Sequence, residues 1–292
     1  MHKDIIIGAV DLYDWSKVQN WVHSIKQSGF NGDIVLLCYR VDSDLVTKCL
    51  EMGVELYGVD TNRFGDEIRF DIPGHASDVH QLRFFHFAQT LQTLKNSGRH
   101  YRYCCATDVR DVIFQTNPSN WLEANLGSAK FTIPSENIHL SNESWNQNNI
   151  LTSLGPIVYD RLKACEVVNV GTIGGDADYL MDLFFTLHTM TIGLSLPSDQ
   201  SCFNLLCNGI LKEQGLLTGT KSGWCAQLGV SNDDTKIHLQ SYVVEPRPLI
   251  KEGLVYNENG DLFCLVHQYD RVPTLLNAVN KRYNGLHNNN TL

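Results

Sequence analysis

Short apolar runs alternate with amphipathic stretches through the first part of the chain. Asp4 to Val10 is an apolar run of strand length, and the segment after it places Trp15, Val18, Trp21, Val22 and Ile25 on one helical face before Gly29 closes it. Asp33 to Tyr39 repeats the strand pattern. Ser43 to Met52 repeats the helical one up to Gly53, and Val54 to Val59 is a third apolar run. Strand, helix and strand in this order form successive βαβ units, which predict a parallel sheet.

Farther on, Leu82, Phe85, Ala88, Gln89 and Leu91 recur at mixed three- and four-residue spacing, so a helix is expected from His80 to Leu94. Tyr101 to Thr107 then reads as a strand. It delivers Asp108, Val109, Arg110 and Asp111 at its carboxyl end, where open α/β sheets place their ligand crevice. Beyond Pro118 the pattern is mixed. Strands are expected over 130–133, 166–170, 236–244 and 262–267, helices over 177–188 and 200–208, and a turn at Asn257–Asp261. No internal repeat interrupts this order. The pattern predicts the α/β class, with one domain over 1–284. The polar tail 285–292 is expected to be disordered.

Composition narrows the function. With 43% hydrophobic and 19% charged residues the chain can bury a sizeable core. The net charge of −9, with no dense Lys/Arg run among 23 basic residues, argues against nucleic acid as a partner. It also means that a polyanionic ligand needs a local cation. Nine cysteines lie without CxxC pairing, and Cys104 and Cys105 sit inside an apolar run where they act as small apolar residues. The first apolar stretch is too brief for a signal peptide, and no run of about eighteen apolar residues follows. A reduced, cytoplasmic setting is therefore expected, with the sequons at Asn142 and Asn289 as chance matches.

The segment YCCATDVRDVIFQTNP carries the most chemistry: an apolar strand runs into two carboxylates, then a second apolar run and Pro118. Mg²⁺ and Mn²⁺ prefer carboxylate, water and phosphate oxygens, and typically bind one or two protein carboxylates together with a substrate diphosphate. Asp108 and Asp111 suit such an ion. The alternative is a solvated turn in which the acids pair with Arg110.

At this segment the chain resembles the glycosyltransferases of the GT-A type, whose DxD motif sits at a strand end ahead of an apolar triplet and a Pro. Asp111, Val112, Ile113, Phe114 and Pro118 match that register. Val109 departs from it, displacing the first carboxylate to Asp108. The resemblance implies a Rossmann-like, mostly parallel sheet flanked by helices with a smaller mixed C-terminal part, a nucleotide-binding half (1–118) and an acceptor-side half (119–284), and Asp111 as a metal ligand. Asp108 becomes a second ligand or a ribose contact, and Arg110 a phosphate contact or an orienting group for the two acids.

Two further segments are similar to glycosyltransferase family 8, the retaining glycogenin-like enzymes. Asn169, Gly171, Gly174 and Gly175, and then Asp199, Gln200 and Asn204, occupy places comparable to the strand turn and the DQ segment that line donor and acceptor sugar in that family. Asp176 would contact a hydroxyl or cap the next helix, and Asp199 is open to the same alternative. His267, ending the apolar run LFCLVH, resembles the family's returning His, which completes the metal shell or touches the diphosphate. Asp270 and Arg271 after it either latch over the donor or pair with each other.

By the same resemblance Ala9, Val10, Asp11 and Tyr13 would meet the nucleotide base, and Arg83 the donor. Trp145 and Trp224 are sugar-stacking candidates unless they pack in the core. The implied function is transfer of a sugar from a nucleotide-diphosphate sugar, UDP favoured, to a glycan or other hydroxyl acceptor. It would be assisted by Mn²⁺ or Mg²⁺ and retain configuration; if it inverts, Asp176, Asp178 or Asp199 is the base. Two rivals remain. A sugar-phosphate nucleotidyltransferase would carry a Gly-rich basic loop where this chain reads GAVDLYDW. A non-catalytic carbohydrate-binding scaffold would keep the fold alone.

Overall fold

The computed structural model describes residues 3–59, 62–64, 67–69, 76–77, 79–194 and 197–284; the expected tail over 285–292 lies outside them. The chain begins β1 (Lys3–Val10), α1 (Trp15–Gln27), β2 (Asp33–Cys38), α2 (Ser43–Glu51) and β3 (Glu55–Gly58), the βαβ run that the periodicity predicts. Asp14 and Asp42 cap the two helices by accepting from Lys17 N and Leu45 N. Such caps contribute about 1 kcal/mol each. Strands β4 (Asn62–Phe64), β5 (Glu67–Arg69) and β6 (Ala76–Ser77) form a small antiparallel sheet before α3 (Val79–Asn96) and β7 (Tyr101–Thr107).

Next come β8 (Val112–Phe114), α4 (Pro118–Asn125), β9 (Phe131–His139), α5 (Ser144–Ser153), α6 (Pro156–Leu162), β10 (Glu166–Val168) and β11 (Thr172–Asp176). Helices α7 (Ala177–Thr191) and α8 (Asp199–Cys207) precede β12 (Gly215–Thr218), β13 (Cys225–Gln227) and α9 (Leu228–Ser231). The described chain closes with β14 (Leu249–Lys251), β15 (Leu254–Tyr256), β16 (Leu265–His267) and α10 (Pro273–Asn284).

The main sheet has the order β10-β9-β11-β7-β1-β2-β3, with β12 beside β9. Strands β3, β2, β1 and β7 are parallel, and β12 is parallel to β9. Strand β11 runs antiparallel between β7 and β9, and β10 antiparallel to β9. This is an α/β, GT-A-like fold. Alternation along the strands builds a layer on each face. Ile5, Ile7, Cys104 and Ala106 face α3, α7 and α8, whereas Ile6, Leu36 and Cys105 face α1 and α4. The adjacent cysteines thus serve two different layers, and none of the nine is paired. Each fully buried Ile contributes roughly 1.5–3 kcal/mol.

Two features of this topology place the site. The chain winds outward from β1 to β3, then returns through α3 to β7 on the other side of β1, so the carboxyl ends of β1 and β7 meet at the point where strand order reverses. A separate sheet, β13-β16-β8, leans α10 against the outside of this edge. One expected strand is absent. The stretch 236–244 is instead a 3-10 helix, Asp234–Tyr242, started by Asp233 accepting from Thr235 N; it buries Leu239 while Ile237 and Tyr242 stay exposed. No helix of the described residues is long and apolar enough to cross a membrane.

Candidate active site

The acidic turn after β7 takes its shape from Val109. That side chain is buried, and Gly8 on β1 makes room for it: a Cβ at Gly8 would lie 2.6 Å from Val109 Cγ2. With Val109 anchored inward, Asp108 and Asp111 on either side of it both line the cleft. The displaced first carboxylate of the motif therefore has a packing cause. Asp108 N donates to Gly171 O at 2.8 Å, extending the β7–β11 pairing by one residue.

His267 arrives by sheet register. Strand β16 pairs antiparallel with β8 so that His267 lies opposite Val112, the residue after Asp111, and Gln268 N donates to Asp111 O at 2.7 Å. Its Nε2 lies 3.5 Å from Asp108 Oδ2 and 3.8 Å from Asp111 Oδ2. Ligand atoms of the three residues all lie within 4.8 Å of one another. On its other side Nδ1 donates to Gln227 Oε1 at 2.7 Å, and Gln227 is held by donating to Thr172 Oγ1 at 3.0 Å. That bond leaves Nε2 as the nitrogen facing the carboxylates. Two carboxylates and one imidazole whose outer nitrogen is already engaged fit a hard or borderline divalent cation.

The electrostatics divide the two acids. Burial works against the Asp108 carboxylate, but Arg83 and His267 outweigh it and hold the group well below the usual carboxylate range. Burial pushes the Asp111 carboxyl up; His267 opposes that shift and the Asp108 charge adds to it. At His267 burial favours the neutral ring, yet the charges of Asp111 and Asp108 prevail and raise its pKa.

Arg83, on α3, joins Asp108 to Asp199: it ion-pairs with Asp108 Oδ1 and reaches Asp199 Oδ2 at 3.4 Å. Asp199 opens α8 and is buried, and burial raises its pKa against the pull of Arg83. Ser198, not Asp199, occupies the capping position of this helix. Asp199 and Gln200 share with the metal-ligand candidates a cleft of about 660 Å³. Asn169 and Trp145 line it too.

Other candidates fall elsewhere. Asp176 caps α7 by accepting from Tyr179 N and pairs in register with Tyr103, so it sits toward the opposite end of β7 from Asp108. Asp178 is exposed and bonded to Lys95. Val10 is core, Ala9 is partly buried beside Tyr39 and Leu82, and Asp11 is engaged by Arg40. Tyr13 is half-buried and feels the charges of Arg110, Asp108 and Asp111. Arg110 lies 3.6 Å from Asp111 and 3.5 Å from Asp270, and Asp270 also meets Arg271 at 3.7 Å.

Gly174 makes room for Trp224, whose ring a Cβ there would approach to 2.6 Å, and Gly175 lets the backbone of Lys130 and Phe131 come close. Both are packing glycines. Trp224 is fully buried, its Nε1 donating to Thr172 O, and is core and no platform. Asn204 ties α8 to β10 through both the N–H and the carbonyl of Val168.

The sequence reading missed Gln227 and Glu136. Glu136 is buried in β9, lines the cleft, and accepts from Asn169 Nδ2 at 2.9 Å and Gln200 Nε2 at 3.0 Å. A polar residue inside an apolar run, as in FTIPSENI and WCAQLGV, was the available signal.

No family model and no curated protein matches the chain. Among solved structures it is similar to the apo structure of WbbM, a bifunctional glycosyltransferase, with 12% identity and a TM-score of 0.51. The alignment covers 91% of this chain and 45% of that one, so the chain spans less than half the length of that structure. At this identity the likeness speaks for a glycosyltransferase fold and does not distinguish family 8 from other GT-A families.

Proposed function

We propose that this protein is a glycosyltransferase dependent on Mn²⁺ or Mg²⁺, moving a sugar from a nucleoside-diphosphate sugar, UDP favoured, to an acceptor hydroxyl with retention of configuration. The observation that carries the reading is the meeting of Asp108, Asp111 and His267 at the strand-order reversal of a GT-A-like sheet, inside a cleft. Asp108, Asp111 and His267 hold the ion. When bound, the ion offsets the negative charge that grows on the departing nucleoside diphosphate.

The protein's own groups do the rest. Arg83, which bridges two carboxylates, orients them, and the more exposed Arg110 meets a phosphate of the donor. Tyr13 offers its ring to the base. Asp199 and Gln200 face the transferred sugar. Retention needs no dedicated base, because an oxygen of the leaving phosphate takes the acceptor proton. In this reading residues 1–118 bind the nucleotide and 119–284 the acceptor.

Hydrolysis of a panel of UDP- and GDP-sugars, with and without Mn²⁺, tests the proposal. Metal-dependent turnover is expected for at least one donor, with a loss of more than about 100-fold in Asp111→Ala at unchanged thermal stability. Absence of turnover together with absence of any donor-dependent thermal shift sinks it in favour of a carbohydrate-binding scaffold.

A further inference from the structure

The cleft extends well past the acidic trio, and its far wall is built for a different ligand. A chain of hydrogen bonds leads there from the acidic turn. Gly171, bonded to Asp108 N, donates to Asn169 Oδ1 at 2.7 Å; Asn169 and Gln200 both donate to Glu136 Oε1; Gln200 also donates to Asn146 Oδ1 at 2.8 Å. Asn146 Nδ2 in turn donates to Glu143 Oε2 at 2.9 Å. Glu136, Asn146, Asn169 and Gln200 are all buried, so this wall is ordered before any ligand arrives.

Beside its outer end stands Trp145, in the first turn of α5. Of the five tryptophans, Trp15, Trp21 and Trp224 are buried, Trp121 is partly buried, and Trp145 alone is half exposed, at 50%. Trp145 lines the cleft together with Glu143, Asn146 and Lys236. A half-exposed indole sharing a cleft with fixed carboxamide and carboxylate groups matches a pyranose, which has an apolar C–H face and a rim of hydroxyls. A lipid tail would need an apolar wall, and the wall here is polar. An acidic sugar would need an unmatched cation, yet Lys236 lies 4.0 Å from Glu143 and Arg271 is paired with Asp270.

We propose that Trp145, with Asn146, Glu143 and Lys236, forms a carbohydrate subsite, and that the acceptor it holds is a neutral hexopyranose of a glycan. Calling this ring the acceptor rests on the transfer reading above; its binding does not.

Saturation-transfer NMR and intrinsic fluorescence titration test the subsite, using the methyl α- and β-glycosides of glucose, galactose and mannose and their disaccharides, without nucleotide or metal. At least one sugar should bind the wild type. Trp145→Ala should weaken that sugar about tenfold, and Trp145→Phe should restore most of the loss, at unchanged circular dichroism. A wild type that binds no sugar of the panel, or a Trp145→Ala protein that binds as the wild type does, overturns the proposal. Calorimetric titration of the wild type with Mn²⁺ and UDP reads the donor side separately, so sugar binding without nucleotide binding retires the donor reading and leaves the subsite standing.

Discussion

His267 Nδ1 donates to Gln227 Oε1 at 2.7 Å across the parallel β13–β16 pair, where the two residues stand in register. The bond turns the opposite nitrogen towards Asp108 and Asp111. Removing such an outer partner of a metal-binding histidine commonly costs about 10- to 100-fold in metal affinity. Gln227→Ala should weaken Mn²⁺ by that order, read by calorimetry or by electron paramagnetic resonance of free Mn²⁺. Unchanged affinity would mean that strand register alone holds the ring.

Gly171 is a second lever on the same centre. A Cβ there would lie 2.5 Å from Asp108 Oδ2 and 3.0 Å from Asn169 Oδ1. Gly171→Ala should therefore displace the Asp108 carboxylate and lower metal affinity at least about tenfold, since misplacing a ligand by a fraction of an ångström spoils the site. Gly174→Ala serves as the contrast. Its Cβ meets the Trp224 ring, so it should cost about 1–3 kcal/mol in denaturant unfolding without touching the acidic turn. Equal effects of the two on metal binding would defeat this division.

Arg83 carries the electrostatic load between α3, β7 and α8. Its side chain is 9% exposed, and its removal takes from Asp199 the main charge opposing its burial and leaves Asp108 with His267 alone. Breaking one partner of a buried pair costs about 3–5 kcal/mol, more than an exposed pair ever contributes. Arg83→Met should lose stability of that order. Arg83→Lys should recover only part of it, because a point charge cannot serve two carboxylates as a planar fork does. Urea unfolding of both variants checks the ranking.

Glu136 sets a pH dependence. Burial raises its pKa above the ordinary carboxylate value, with Glu143 adding to the shift, while hydrogen bonds from Asn169 and Gln200 and the charge of Lys236 oppose it. A carboxyl that is harder to ionise in the folded state favours folding at pH below its unfolded value. That contribution is lost as pH rises through the folded one. Glu136→Gln keeps an acceptor for both amides and carries no charge. Its melting temperature should thus gain on the wild type between pH 4.5 and pH 8. A constant difference across that range would show that folding leaves the Glu136 carboxyl at its unfolded pKa.

Much of the first part of the chain was legible in advance because its signals are local. The strand from Tyr101 to Thr107 and the helix starting at Ser43 fall where periodicity and glycine stops put them. The stretch 236–244 misled: apolar residues alternate there with polar ones, but Asp233 turns the backbone into a 3-10 helix that buries little beyond Leu239. Alternation shows which residues would share a face and not whether a sheet edge is there to receive them.

At the site the carboxylates announced themselves by type and spacing. So did Arg83 and His267, but the buried polar residues behind them did not. Gln227 and Glu136 matter through the strands they pair with, and no local pattern specifies register between segments this far apart in the chain. Asp176 shows the reverse: its residue type suits chemistry, yet strand β11 runs antiparallel to β7 and carries it away from the acidic turn.

By itself the amino-acid order determined the α/β class, the acidic turn at the end of β7 and the chemistry open to it, because hydrophobic periodicity, capping and ligand preference act over a few neighbouring residues. Tertiary structure alone decided that Val109 points into the core, that β16 sets His267 opposite Val112, and that Trp145 shares a cleft with a buried chain of amides. Those outcomes depend on pairing and packing between distant strands, where each contact gains free energy only once the others are formed.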